Sequence, residues 1–131
     1  MNLYIAGSKE QIERCELWRD AAIKEGFFIT FDWMACVRSN PADSVLHDYN
    51  RLEFAMQDRA AIHNCELFWL LLPDMKGAGC FVELGLAIQM NKPIVISGPF
   101  KRTIFETLAN FNSALDNRAF EQIKEFRKRH V

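Results

Sequence analysis

Apolar residues in this chain fall either into short unbroken runs or into stretches with helical spacing, and the two alternate. Leu3-Tyr4-Ile5-Ala6 is a short run closed by Gly7-Ser8, the pattern of a buried strand turning into a helix with Ser8 as its N-cap. From Lys9 to Glu25, Ile12, Cys15, Trp18 and Ala22 recur at steps of three and four, and Gly26 stands where a helix C-cap is needed. Phe27 to Phe31 is β-branched and aromatic, which predicts a second strand ending at Asp32-Trp33. Met34 to Ser44 contains Asn40-Pro41-Ala42-Asp43 and predicts a turn-rich loop. A long helix follows over Val45 to Asn64, capped near Asp43 or Ser44. Leu67 to Leu72 is continuously apolar up to Pro73, as a central parallel strand covered on both faces requires.

Beyond the loop Asp74 to Gly79, the run Cys80 to Met90 predicts a well-buried helix, and Ile94-Val95-Ile96 a fourth strand leaving through Ser97-Gly98-Pro99. The stretch Ile104 to Phe111 accommodates a short fifth strand, and a last helix runs from Asp116 or Asn117 to Arg129. This alternation predicts an α/β fold over residues 1–131. Its form is a single-domain, doubly wound parallel sheet of four to five strands flanked by helices, Rossmann- or flavodoxin-like, with right-handed crossovers.

Composition narrows the partner. With 131 residues, half of them hydrophobic, the chain can bury one substantial core. A formal net charge of -1 gives no footprint for a nucleic acid polymer or an anionic membrane, so a small molecule is the expected ligand. The basic cluster Lys124 to His130 ends the last helix, where cations complement the helix dipole. Cys15, Cys36, Cys65 and Cys80 form no Cys-x-x-Cys pair and read as small buried hydrophobes in a reducing compartment. His47, His63 and His130 do not join them at zinc-like spacing, so neither a metal nor another cofactor is expected. The run Leu67 to Leu72 is too short to span a bilayer, and Met1 leads straight into a strand pattern; the expected location is the cytoplasm.

In an open parallel sheet, ligands bind outside the carboxyl ends of the strands. That selects the exits Gly7-Ser8, Asp32-Trp33, Pro73 to Gly79 and Ser97-Gly98-Pro99. Glu83 lies about one turn into the helix after the glycine-containing loop, where its carboxylate can face the same cleft. Taken alone, these residues have ordinary readings as well. Glu83 would oppose a helix dipole, Gly77 and Gly79 would be turn residues, and Asp32-Trp33 would be a strand end with an apolar anchor.

Two segments go further. Leu3-Tyr4-Ile5-Ala6-Gly7-Ser8 and Gly77-Ala78-Gly79-Cys80-Phe81-Val82-Glu83-Leu84-Gly85-Leu86-Ala87 resemble the first strand and the nucleophile signature of the nucleoside 2-deoxyribosyltransferase-like family. That family includes the 2'-deoxynucleoside 5'-monophosphate N-glycosidases. Asp32-Trp33, Asp58 and Lys92-Pro93-Ile94-Val95 are also similar to it, and the resemblance runs nearly the whole chain. It implies an enzyme that cleaves or transfers the N-glycosidic bond of a (deoxy)nucleoside or its 5'-monophosphate. Glu83 would attack the anomeric carbon to form a glycosyl ester, and Tyr4 would hold and tune that carboxylate. A helix start beside a phenol hydroxyl favours the charged form of such a nucleophile.

The resemblance further implies substrate-binding roles for Gly7, Ser8, Asp32, Trp33, Asp74, Gly77 and Gly79. Asp32 or Asp74 would reach the leaving base and Trp33 would stack on it. Amides at Ser8 and Gly77 to Gly79, with Lys9 or Lys76, would hold a 5'-phosphate. Two positions depart from the family: Glu66 stands where relatives usually have Asp, and Ser8 is followed by Lys9-Glu10 with no arginine to match the phosphate site of relatives that act on nucleotides. A homodimer or higher homo-oligomer is implied, with Thr107, Asn110 and Asn112 in the region that would complete a neighbour's pocket. Whether water or a second base is the acceptor stays open. So do two alternatives, an NAD-type dinucleotide glycohydrolase and a non-catalytic nucleotide-binding or sensing module.

Overall fold

The unbroken apolar run of the third strand takes the middle of a parallel sheet, where neither face meets water. The protein's computed structural model describes residues 1–39, 48–74, 78–99 and 103–130. In it, strand β1 spans Asn2–Ala6, helix α1 Ile12–Lys24, β2 Phe28–Ile29, α2 Trp33–Ser39 and α3 Asp48–Asn64. They are followed by β3 Leu67–Leu71, α4 Ala78–Gln89, β4 Ile94–Ser97, β5 Phe111–Ser113 and α5 Asp116–Arg129. Every ladder is parallel and the strand order is β2-β1-β3-β4-β5, the doubly wound sheet that the alternation predicts. The order reverses between β1 and β3, with α1 and α5 packed on one face of the sheet and α3 with α4 on the other.

The two faces follow from the two-residue period of the strands. Leu3 and Ile5 of β1 join Leu67, Trp69 and Leu71 of β3 in a core shared with Cys15, Ala22, Ala119 and Phe120 of α1 and α5. Tyr4 and Ala6 point the other way, with Phe68, Leu70 and Ile96, against Ala61 and Ile62 of α3 and Cys80, Leu84 and Ala87 of α4. A slip of one residue in β1 would send Tyr4 to the wrong layer.

Several boundaries differ from the sequence reading. β2 keeps two residues of the predicted five, because the chain leaves the sheet to begin a helix where a loop was expected. Asp32 caps that helix, accepting from the Ala35 amide at 3.1 Å. The turn signal at Asn40-Pro41-Ala42-Asp43 and the caps at Asp43 or Ser44 lie outside the described residues. Ser8 caps a 3-10 turn, Lys9–Gln11, and the α-helix proper starts only at Ile12. Gly26 closes α1 at φ +91°, a left-handed position that suits glycine. The fifth strand falls at Phe111–Ser113, and a 3-10 turn, Phe105–Leu108, occupies half of the stretch proposed for it. No helix among the described residues is long and apolar enough to cross a membrane.

Candidate active site

Outside the carboxyl ends of β1 and β3, at the reversal of strand order, lies a cleft of about 410 Å³. Tyr4, Gly7 and Ser8 come to it from β1 and its exit, Trp33 from α2, Asp58 from α3, and Gly79 with Glu83 from α4. Each side chain is aimed there by local periodicity. On α3, Phe54 and Asp58 precede the buried Ala61 and Ile62 on the inward stripe, at helical steps of three and four. On α4 the buried stripe is Cys80, Leu84 and Ala87, and Glu83 borders it.

The centre of the cleft is one phenol between two acids. Tyr4 is fully buried, its ring stacked on Phe68 with centroids 5.7 Å apart. Its hydroxyl donates a short hydrogen bond to Glu83 Oε2 and stands 3.4 Å from Asp58 Oδ1. Burial, then the Asp58 charge, pushes the Glu83 carboxyl up to about 8, against the lowering effect of the phenol. Burial likewise pushes Asp58 up to about 6, again opposed by Tyr4. The Tyr4 hydroxyl is itself held well above its ordinary value by burial and by both acids, so it stays a donor. Because α4 begins at Ala78, Glu83 lies in the second turn, past the reach of the helix N-terminal field. The support expected from that helix end is therefore small, and desolvation prevails.

The remaining sequence candidates divide. Gly7 packs so tightly that an added Cβ would stand 2.5 Å from Cys15 Sγ, which keeps α1 close under the cleft. Ser8 is buried, and its hydroxyl is joined to the Glu10 carboxylate by a short hydrogen bond. Trp33 lines the cleft and donates its indole N–H to the Ile5 carbonyl at 2.8 Å, which fixes the ring. Gly79 lines it too, with open space around its Cα, whereas Gly77 lies outside the described residues, as does Lys76.

Asp32 is not brought to the cleft wall. Beyond capping α2, it pairs with Arg19 of α1 at 3.1 Å. Asp74 is exposed and accepts from Gln11 Nε2 at 2.7 Å. Glu66 stands just ahead of β3, at the end of the sheet away from the cleft, and accepts from the Asn2 amide at 2.9 Å. Asn110, Asn112 and Thr107 are tied to backbone groups around β4 and β5.

Asp58 is the residue to which the sequence reading gave no role. Its signal was present as an acid one helical turn after Phe54 on an otherwise core-facing stripe. Glu10, Phe31, Cys36 and Val37, which also line the cleft, carried no such mark. Among the described residues no group of three or more His, Cys, Asp or Glu is placed to hold a metal ion.

No protein-family model matches the chain, and no curated protein matches it in sequence. A solved structure, the CMP N-glycosidase BcmB of Clostridium botulinum, is similar in fold, with a TM-score of 0.61 over 97% of this chain and 99% of that one. The two are 16% identical, and what they share at that distance is the helix-flanked α/β sheet.

Proposed function

We propose that the chain breaks the N-glycosidic bond of a (deoxy)nucleoside or its 5'-monophosphate, through a covalent intermediate on Glu83. The observation that carries this reading is the Tyr4 phenol held between Glu83 and Asp58 in the switch-point cleft. The fold shared with a CMP N-glycosidase supports it. With both carboxyls in reach of one phenol oxygen, the oxygens that face it stand no more than about 6 Å apart. That is too close for a pair that works with a water inserted between them, and it suits attack by one acid with proton transfer by the other.

The proton count fits. Between about pH 6 and pH 8 the pair holds one proton, which rests on Glu83, the higher of the two; the reactive form is the minor one in which that proton has passed to Asp58. Glu83, ionised, attacks C1' as the C1'–N bond breaks, and the bond's electrons leave with the base. Asp58, protonated, supplies the proton the departing nitrogen needs. Water, or a second base, then attacks C1' of the ester; Asp58 takes its proton and Glu83 is released. Tyr4 keeps its proton throughout and points it at whichever carboxylate is charged. Trp33, locked by its bond to Ile5, offers a ring face for the base.

The test is chromatographic. The protein is incubated with each nucleoside, deoxynucleoside and 5'-monophosphate, with and without an acceptor base. Free or exchanged base is expected from wild type and none above background from Glu83→Ala. A 2-fluoro sugar analogue should leave its mass on Glu83. If no substrate in the panel releases base, or release persists in Glu83→Ala, the reading is wrong.

A further inference from the structure

We infer that the ion pair between Glu16 of α1 and Arg38 of α2 sets the place of the cleft wall that α2 supplies. On the N-glycosidase reading above, this makes Arg38 a positioning residue for substrate binding and not for the chemistry. α2 lines the cleft through Trp33, Cys36 and Val37, and its two turns are held in different ways. The first is anchored in the fold. Met34 is fully buried in the core shared with α1, the Trp33 indole donates to the Ile5 carbonyl, and Asp32 just ahead pairs with Arg19. The second turn has no such anchor: from Ala35 to Ser39 no residue is buried.

Arg38 supplies the tie there. It donates through Nε to Glu16 Oε2 at 3.1 Å and through Nη2 to Glu16 Oε1 at 2.7 Å, so both carboxylate oxygens are engaged. A two-pronged contact fixes orientation as well as distance, and it is the geometry in which an exposed ion pair contributes measurably. The bond to Arg38 keeps the Glu16 carboxyl below its ordinary value, and the bond to Glu16 keeps the guanidinium above its own. Cys36 and Val37 immediately precede Arg38, so a guanidinium held against α1 keeps these two side chains at the cleft. Burial, then the charges of Asp32 and Asp58, raises the Cys36 thiol, which puts this turn within the field of one of the site's acids. Glu16 and Arg38 themselves are not among the described residues that line the cleft.

The experiment compares wild type with Arg38→Met and Glu16→Ala, one variant on each helix, and with the double variant. It measures kcat and KM for base release from an uncharged deoxynucleoside. It also follows iodoacetamide labelling of Cys36 by peptide mass, since Cys36 is partly exposed whereas Cys15, Cys65 and Cys80 are buried. Each single variant should raise KM by about two- to fivefold, the range of one well-formed exposed pair, with kcat held within about twofold. The double variant should do no more than either single one, because both remove the same contact. Cys36 should be labelled about two- to fivefold faster in all three variants. Raising salt from about 0.05 to 0.5 M should narrow each gap to wild type, because screening weakens an exposed pair. An unchanged KM, a loss confined to kcat, additive effects in the double variant, or a labelling rate that no variant alters overturns the inference. Should no deoxynucleoside release base, the N-glycosidase reading falls instead, and the labelling rates of the four proteins decide the positioning on the same two- to fivefold criterion.

Discussion

Replacing Tyr4 by Phe removes one oxygen from the centre of the proposed site and leaves the ring stacked on Phe68. The lost hydroxyl favours the charged form of both carboxylates, so Glu83 rises above about 8 and Asp58 above about 6. A hydrogen bond to a charged group contributes about 1.5–3 kcal/mol, which is roughly one to two pK units. Most of that falls on Glu83, since the Asp58 contact is long at 3.4 Å. In the proposed reaction the productive form of the singly protonated pair has Glu83 ionised and Asp58 protonated. Its share of that state depends on the difference between the two acids and not on pH. Each unit by which Glu83 rises relative to Asp58 therefore costs about tenfold in activity at the optimum and moves the alkaline limb up by about one unit. Wild type should give a bell-shaped kcat/KM profile with limbs near 6 and 8. Tyr4→Phe should lower its height by roughly 10- to 100-fold and carry the alkaline limb toward 9 or 10. The assay is base release between pH 5 and 10.5, with circular dichroism to confirm the fold. A loss of height with both limbs unmoved would mean that the phenol only orients the nucleophile, and would refute the reasoning.

Three further outcomes follow from the same geometry. Glu83 and Asp58 hold protons in the folded state that the unfolded chain, with values of 4.5 and 3.8, gives up. Their contribution to stability is thus complete below about pH 4 and lost as pH rises through 6 and then 8. The melting temperature should fall between pH 5 and pH 9, by an amount on the order of 2–4 kcal/mol in stability, and Glu83→Gln should remove the upper part of that fall. An equal slope in both proteins would contradict it. Asp58→Asn should lose about 100-fold or more on ordinary nucleosides, but less than about tenfold on 7-methylguanosine, whose base departs neutral without an acid. Equal losses on both would exclude Asp58 as the proton donor. Gly7→Ala puts a Cβ 2.5 Å from Cys15 Sγ and should destabilise by about 1–3 kcal/mol, and adding Cys15→Ala should restore most of it in thermal melts.

The order of strands and helices was legible because each element carries its own period. The run 67–71 had no polar residue to expose, and Ile12, Cys15, Trp18 and Ala22 could share a face only in a helix. Helix α2 was hidden because its start depends on Asp32 turning back to the Ala35 amide, and because its apolar residues, Trp33 to Val37, form one unbroken run in a helix of 7 residues, too short to show a period. The same competition misdirected the site. Asp32 and Asp74 stand at strand exits, where ligand contacts are expected, yet a carboxylate beside a helix start has a closer partner in that helix or its neighbour, here Ala35, Arg19 and Gln11.

Tyr4, Asp58 and Glu83 pose the opposite problem. The phenol is 54 residues from one acid and 79 from the other, and only the parity of β1 together with two helix registers brings them together. What the sequence does carry is a conflict: an acid on the inward side of α3 and another bordering the buried stripe of α4, each unexplained by its own helix. Within one element such an acid is a fault, since burial disfavours its charge. Across elements the two faults meet a common donor, and the desolvation that raises both acids leaves one proton between them near neutral pH. The positions at which the local pattern fails are therefore the ones that supply the chemistry proposed here.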